Sequence, residues 1–197
     1  MRKTFAAVLL AGGRSTRMNT NKAFLEFHGV PLWRFQMEKL ERLGPDELFF
    51  SVQPGMDFPP GTWMLVCDRR PDCGPLGGLE ATLRQTHADF LVTLAVDMPA
   101  MTTVFLHELV EASGPAGVVP LVEGFYCGAA AVYPVEMLPL VETVLAGSDR
   151  SFQRLIREAA ASGLMNGRPV SPEERLLFEN WNAPEDRRRS LSIPFSD

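Results

Sequence analysis

The run Thr4-Phe-Ala-Ala-Val-Leu-Leu-Ala11 ends abruptly in Gly12-Gly13, and this junction limits the possible folds more than any other stretch of the chain. An apolar run of strand length with no polar alternation has no face to offer water. It predicts a strand buried on both sides, the setting of a parallel sheet covered by helices on each face. The glycines lack Cβ atoms, so their N–H groups can approach an anion closely. The loop after them carries Arg14, Arg17 and Lys22, three cations within nine residues. The first 22 residues hold five basic side chains and no acidic one, although the chain as a whole has a net charge of −5. Such a local field suits a small, highly charged ligand, and the junction reads as a phosphate-handling loop. It is neither a Walker P-loop nor a G-x-G-x-x-G turn, because the glycine spacing differs from both.

The rest of the chain alternates strand and helix signals. Pro31 to Leu43 has apolar Leu32, Phe35, Leu40 and Leu43, a proline suited to the first turn and a Gly44-Pro45 stop, which predicts a helix. Trp33 and Phe35 within it fit core positions and an interface equally well. Glu47 to Gln53 and Trp63 to Cys67 read as strands, and a helix runs from the Gly74–Gly78 turn to about Thr86. Phe90 to Val96 is a buried strand leading straight into Asp97-Met98-Pro99, with a helix over Thr102 to Ser113. Gly117 to Val122 and Cys127 to Tyr133 read as strands joined by Glu123 to Tyr126, as a hairpin or as separate members of a mixed region. Val135 to Ala146 and Ser151 to Ala161 have helical spacing, and Arg175 to Trp181 reads as a last short strand. Repeated βαβ units predict an α/β fold with a mostly parallel central sheet flanked by helices. A chain of 197 residues fits one domain, placed at 1–186, with 187–197 as a loosely ordered tail.

In such sheets ligands bind beyond the carboxyl ends of the strands, so the first polar residue there points at the site. Asp97 is therefore the candidate metal ligand, a hard oxygen donor suited to Mg²⁺, with capping of the next helix as its plain alternative. Asp68 and the glycines Gly74, Gly77 and Gly78 form a second loop at a helix start, where backbone donors favour an anion. The plain alternative is that those glycines only let the helix pack close to the sheet. Asn180 and Asn182 lie one residue apart, so an extended segment presents both amides on one side. The acidic charge and pI near 5.3 argue against a nucleic-acid partner. The odd set Cys67, Cys73 and Cys127 forms no metal-ligand pattern, and no stretch suits a membrane span or a signal peptide. A cytoplasmic protein is expected. His28, His87 and His107 fall outside every motif.

The segment Leu-Ala-Gly-Gly-Arg-Ser-Thr-Arg-Met followed by Lys22 resembles the nucleotidyltransferase signature. Its second glycine, its Arg-Ser pair and the absence of a proline before the lysine are similar to the molybdenum cofactor guanylyltransferases. Asp68 to Gly78 and Phe178-Glu-Asn-Trp-Asn-Ala-Pro-Glu-Asp186 match the second and third family signatures in order. The resemblance implies a Rossmann-like three-layer fold and transfer of GMP from GTP to the terminal phosphate of molybdenum-loaded molybdopterin, releasing pyrophosphate. Leu10, Ala11, Gly12, Gly13, Arg14 and Ser15 are then nucleotide-binding. Gln53, Asp68, Gly74 and Gly78 complete that set, and Asn180 and Asn182 face the acceptor. Arg17 and Lys22 hold the β/γ-phosphates, and Asp97 holds Mg²⁺, with Mn²⁺ as a substitute. Arg150 matches a segment near the ligand more weakly. Transient contacts with molybdenum-insertion or molybdoenzyme-maturation proteins are also implied.

Two departures stand out: Gln53 replaces an asparagine common near the base, and Met98 replaces a small residue or Cys. The competing readings are a cytidylyl- or sugar-phosphate nucleotidyltransferase of the same fold, a GTP-binding module without transfer, and a nicotinamide-binding oxidoreductase.

Overall fold

A computed structural model describes residues 3–11, 22–56, 58–69 and 73–181. In chain order the elements are β1 (Phe5–Leu10), a short hairpin of β2 (Glu26–Phe27) and β3 (Val30–Pro31), and α1 (Leu32–Leu43). Then come β4 (Glu47–Val52), β5 (Met64–Cys67), α2 (Pro75–Leu83), β6 (Phe90–Ala95) and α3 (Thr103–Ala112). The remainder is β7 (Gly117–Val122), β8 (Phe125–Tyr126), β9 (Val132–Pro134), α4 (Leu138–Ala146), α5 (Phe152–Ala161) and β10 (Met165–Pro169).

The main sheet runs in the order β10-β7-β9-β6-β1-β4-β5, with β8 attached to β7. The pairs β1–β4, β1–β6, β4–β5 and β7–β10 are parallel, whereas β9 lies antiparallel between β6 and β7. Alternation along β1 builds the layers. Ala7 and Leu9 join the core that α1 and α3 cover, while Ala6, Val8 and Leu10 join the core under α2, α4 and α5. Every residue of β6 is buried, so neither face of the sheet centre meets solvent. This is the three-layer α/β arrangement expected from the continuous apolar runs.

Helix α1 returns the chain to β4 on one side of β1, and α2 returns it to β6 on the other. The strand order therefore reverses at β1, and in sheets of this kind ligands bind outside the carboxyl end at such a reversal. Trp33 is buried and stacked on Phe50, a core position, and the half-buried Phe35 packs against Phe27 at the margin of the same core. Among the described residues no helix is long and apolar enough to cross a membrane.

Three local expectations are corrected. Arg175 to Trp181 is not a strand: Glu174–Phe178 form a 3₁₀ turn, with Arg168 bridging Glu174 and Glu108. A strand does exist just before it, β10, whose sequence Met-Asn-Gly-Arg-Pro has no apolar alternation, because only Met165 of this edge strand is buried. The segment expected as a strand over Cys127 to Tyr133 is strand only from Val132. Phe125 and Tyr126 instead fold back on β7 through a two-residue turn at Glu123 (φ 49°) and Gly124 (φ 86°), the geometry that matches strand twist in a tight hairpin.

Candidate active site

The register places the candidate residues in one row. Leu10 lies level with Ser51 of β4 and Ala95 of β6, and Ser51 lies level with Val66 of β5. Counting two residues onward from this level gives Gln53, Asp68 and Asp97. Side chains expected at the site on separate grounds thus emerge together at the carboxyl edge of four adjacent parallel strands. With about 4.8 Å between neighbouring strands, the row from Asp68 to Asp97 spans roughly 14 Å.

At the β6 end, Lys22 Nζ stands 3.1 Å from Asp97 Oδ2, with the two side chains 19% and 27% exposed. Lys22 opens a 3₁₀ turn whose next residue, Ala23, is fully buried, so the backbone below the ammonium is anchored. The Asp97 backbone is held by its neighbours. Val96 N–H donates to Leu10 O, Met98 N–H closes a turn on Ala95 O, and Trp181 N–H donates to Asp97 O at 2.8 Å. The last of these bonds brings the Asn180 segment beside Asp97, and Trp181 is seated edge-on against Phe27. Capping is not the task of Asp97, because Thr102 caps α3 by accepting from Phe105 N–H.

At the β5 end, Asp68 lies against the first turn of α2, close enough that a Cβ on Gly77 would come within 2.8 Å of its carboxylate. Burial, reinforced by the nearby Glu80, pushes the Asp68 carboxyl up to about 6 from its ordinary 3.8. Its Oδ1 is buried without a hydrogen-bond partner among the described residues. A raised carboxyl holds its proton more tightly in the folded than in the unfolded chain. The fold therefore loses this group's contribution as pH rises from about 4 through about 6. Asp68→Asn is expected to be more stable than the wild type at pH 7, with the difference vanishing below pH 4, as read by urea denaturation at both pH values.

Gly74 precedes α2 at φ 55° and ψ −152°, a backbone conformation open to glycine and costly for other residues. Gly78 has a different role. A Cβ there would lie 2.3 Å from Ser51 Oγ and 2.9 Å from Leu10 Cδ2, so this glycine lets α2 pack onto the sheet. Gly78→Ala is expected to destabilise the fold by about 1–3 kcal/mol through overpacking, measured as a lowered denaturation midpoint. A neutral result would show that α2 can shift to make room.

The site lacks an activated nucleophile among the described residues. Cys127, next to the turn that follows β6, is driven up to about 11 by burial, so its thiol stays protonated and inert. No group of three or more His, Cys, Asp or Glu assembles among the described residues. Asp97 offers one hard carboxylate beside a cation, a donor set that fits Mg²⁺ completed by water and phosphate oxygens. What this arrangement can do is position charge.

The expected residues Gly12, Gly13, Arg14, Ser15, Arg17 and Asn182 lie outside the described residues. Leu10 and Ala11 end β1, with Ala11 N–H donating to Ser51 O. Arg150 is exposed and donates to Gly147 O, so it is occupied with closing its own loop. Two residues of α1 had no place in the motif reading: Gln36 and Lys39, both buried, reach the carbonyls of the Asp97 turn. Their signal is visible in the spacing Leu32, Gln36, Leu40, Leu43, where an amide interrupts an apolar stripe.

The MobA-like NTP transferase domain family matches residues 7–162. A "Probable molybdenum cofactor guanylyltransferase" of Opitutus terrae is 33% identical over 189 residues, covering 93% of each chain. A molybdenum cofactor guanylyltransferase of Pseudomonas fluorescens is 32% identical, covering 90% of this chain and 89% of that protein. In structure, molybdopterin-guanine dinucleotide biosynthesis protein A from Archaeoglobus fulgidus superposes with a TM-score of 0.72 at 20% identity, over 95% and 96% of the two chains. The match over residues 7–162, together with relatives a third identical along nearly the whole chain, means that the chain belongs to the MobA-like NTP transferase family and is a nucleotidyltransferase.

Proposed function

We propose that this nucleotidyltransferase moves GMP from GTP to the terminal phosphate of molybdenum-loaded molybdopterin, giving molybdopterin guanine dinucleotide and pyrophosphate. The observation that carries the reading is the Lys22–Asp97 pair, 3.1 Å apart at the carboxyl edge of β6, in a chain whose relatives bear guanylyltransferase names. An oxygen of the acceptor phosphate forms a bond to the α-phosphorus of GTP. The bond from that phosphorus to the bridging β-oxygen breaks, and its electron pair leaves with pyrophosphate. Two anions must meet, and the leaving group gains charge. Such chemistry needs positioning and electrostatic stabilisation more than a strong base, in keeping with the inert Cys127.

The chain's own residues divide the work. Gly12 and Gly13 present backbone donors, and Arg14 and Ser15 lie beside the phosphates. Arg17 and Lys22 hold the β- and γ-phosphates and take up the charge of departing pyrophosphate. Asp97 would hold Mg²⁺, or Mn²⁺ in its place, which would neutralise charge between nucleotide and acceptor phosphates. Lys22, beside that carboxylate, lies within reach of the same phosphates. Gln53 and Asp68 take the nucleoside end of the row, and Asn180 and Asn182 take the pterin side. The protein acts in the cytoplasm as a single domain over 1–186, in transient contact with molybdenum-insertion or molybdoenzyme-maturation proteins.

Gln53 leaves room for a second reading with CTP as the nucleotide, because its extra methylene moves the carboxamide relative to an asparagine. Label in the α-phosphate of GTP decides the reaction type: it should appear in the dinucleotide, while label in the β-phosphate should appear in pyrophosphate. Release of GTP label only as GMP or GDP would contradict the transfer.

A further inference from the structure

Asp97 sits inside the first of two consecutive turns, this one closed by Met98 N–H on Ala95 O and the next by Met101 N–H on Met98 O. Gln36 of α1 is fully buried, and its Nε2 donates to both of these carbonyls, at 3.1 Å to Ala95 O and 2.8 Å to Met98 O. One amide group thus grips the chain immediately on each side of the Val96–Asp97 pair. One helical turn on, Lys39 Nζ donates to Pro99 O at 2.6 Å while lying over the Phe35 ring. The far side of the turn is tied by Trp181 N–H on Asp97 O.

The orientation of the Gln36 amide follows from its partners. Two carbonyls can only accept, so the NH₂ group must face them and Oε1 must face the other way. That oxygen is buried with no hydrogen-bond partner among the described residues. An unmade bond of this kind costs free energy, and an apolar side chain of similar length would avoid it. The two carbonyls do not depend on Gln36 for satisfaction, since each already accepts a backbone N–H. The amide therefore adds little to stability and fixes the shape of the turn.

We propose that Gln36 is a positioning residue that holds the Asp97 turn in the geometry needed for metal and phosphate binding, an inference that rests on the proposed transferase role of Asp97. It touches neither nucleotide nor acceptor. Its effect passes through the backbone of residues 95–98.

Gln36→Met tests this by separating shape from stability. The variant keeps length and burial, removes two donors and removes the orphaned oxygen. The expected result is a thermal midpoint equal to or above the wild type, with kcat for pyrophosphate release lowered about tenfold to a hundredfold and the KM for GTP little changed. The Mg²⁺ concentration needed for half-maximal rate should rise, and the Met98 and Met101 amides should exchange faster with deuterium. Gln36→Glu, which sets acceptor oxygens against the two carbonyls, should be at least as impaired, with partial recovery at acid pH as the carboxyl gains a proton to donate. An unchanged kcat and Mg²⁺ dependence in Gln36→Met overturns the proposal. So does a large loss of stability that accounts for the lost activity. If the wild type transfers no nucleotide, the proposed function fails, and amide exchange still decides whether Gln36 holds the turn: unchanged protection at Met98 and Met101 refutes it.

Discussion

Asp97→Ala is expected to lower nucleotidyl transfer by about 10³-fold or more, some 4 kcal/mol at the transition state, while leaving the fold intact. The size follows from the proposed role of Asp97, whose carboxylate would hold Mg²⁺ between the two reacting phosphates. Retention of the fold follows from the bonding around it. The turn is closed by Met98 N–H on Ala95 O and anchored by Trp181 N–H on Asp97 O, all backbone groups that alanine keeps. The ion pair with Lys22 is partly exposed, 19% and 27% on its two sides, and pairs of that kind contribute at most about 1 kcal/mol. Thermal denaturation alongside the rate assay checks both halves. A variant that turns over normally would remove Asp97 as the metal ligand, and one that unfolds would make its role structural.

Lys22→Ala is expected to cost about 10²-fold in turnover, roughly 3 kcal/mol, with a smaller effect on GTP binding. Its ammonium lies 3.1 Å from Asp97, so phosphates held at that carboxylate through Mg²⁺ would fall within its reach. The interaction gained in the reaction is with charge that develops on departing pyrophosphate, hence the larger effect on rate than on binding. Substitution of the exposed Arg157 is the control, since its guanidinium only returns to the Gln153 carbonyl in α5. An equal loss there would mean that net charge, and not position, sets the rate.

The β1 run, the Gly-rich start of α2 and the β6 run into Asp97 were legible because each couples a local rule to a position on the sheet. An apolar run of strand length with no alternation, stopped by glycines, suits a strand covered on both faces, and its carboxyl end then fixes where ligands go. The row of Gln53, Asp68 and Asp97 follows from register once the strand order is known, although no single strand reveals it. Other features were not legible because tertiary contacts decide them. Strand β10 carries Asn166, Gly167 and Arg168 and is a strand only because β7 offers a partner. Arg175 to Trp181 has strand-like composition, but Arg168 and Glu174 fold it into a turn. Gly78, expected at the nucleotide, also lets α2 pack against Ser51, a contact that no local pattern shows. The grip of Gln36 on the Asp97 turn was half visible: the sequence shows an amide on an apolar stripe and cannot show which carbonyls it meets.

The most direct test of the account is Mg²⁺-dependent pyrophosphate release from GTP, CTP, ATP and UTP in turn, each with and without molybdenum-loaded molybdopterin. Release from GTP alone, and only with the acceptor, is the predicted result, and it would establish the base preference despite Gln53. Release from CTP in place of GTP, or no release from any nucleotide, would contradict the guanylyl transfer proposed for this chain.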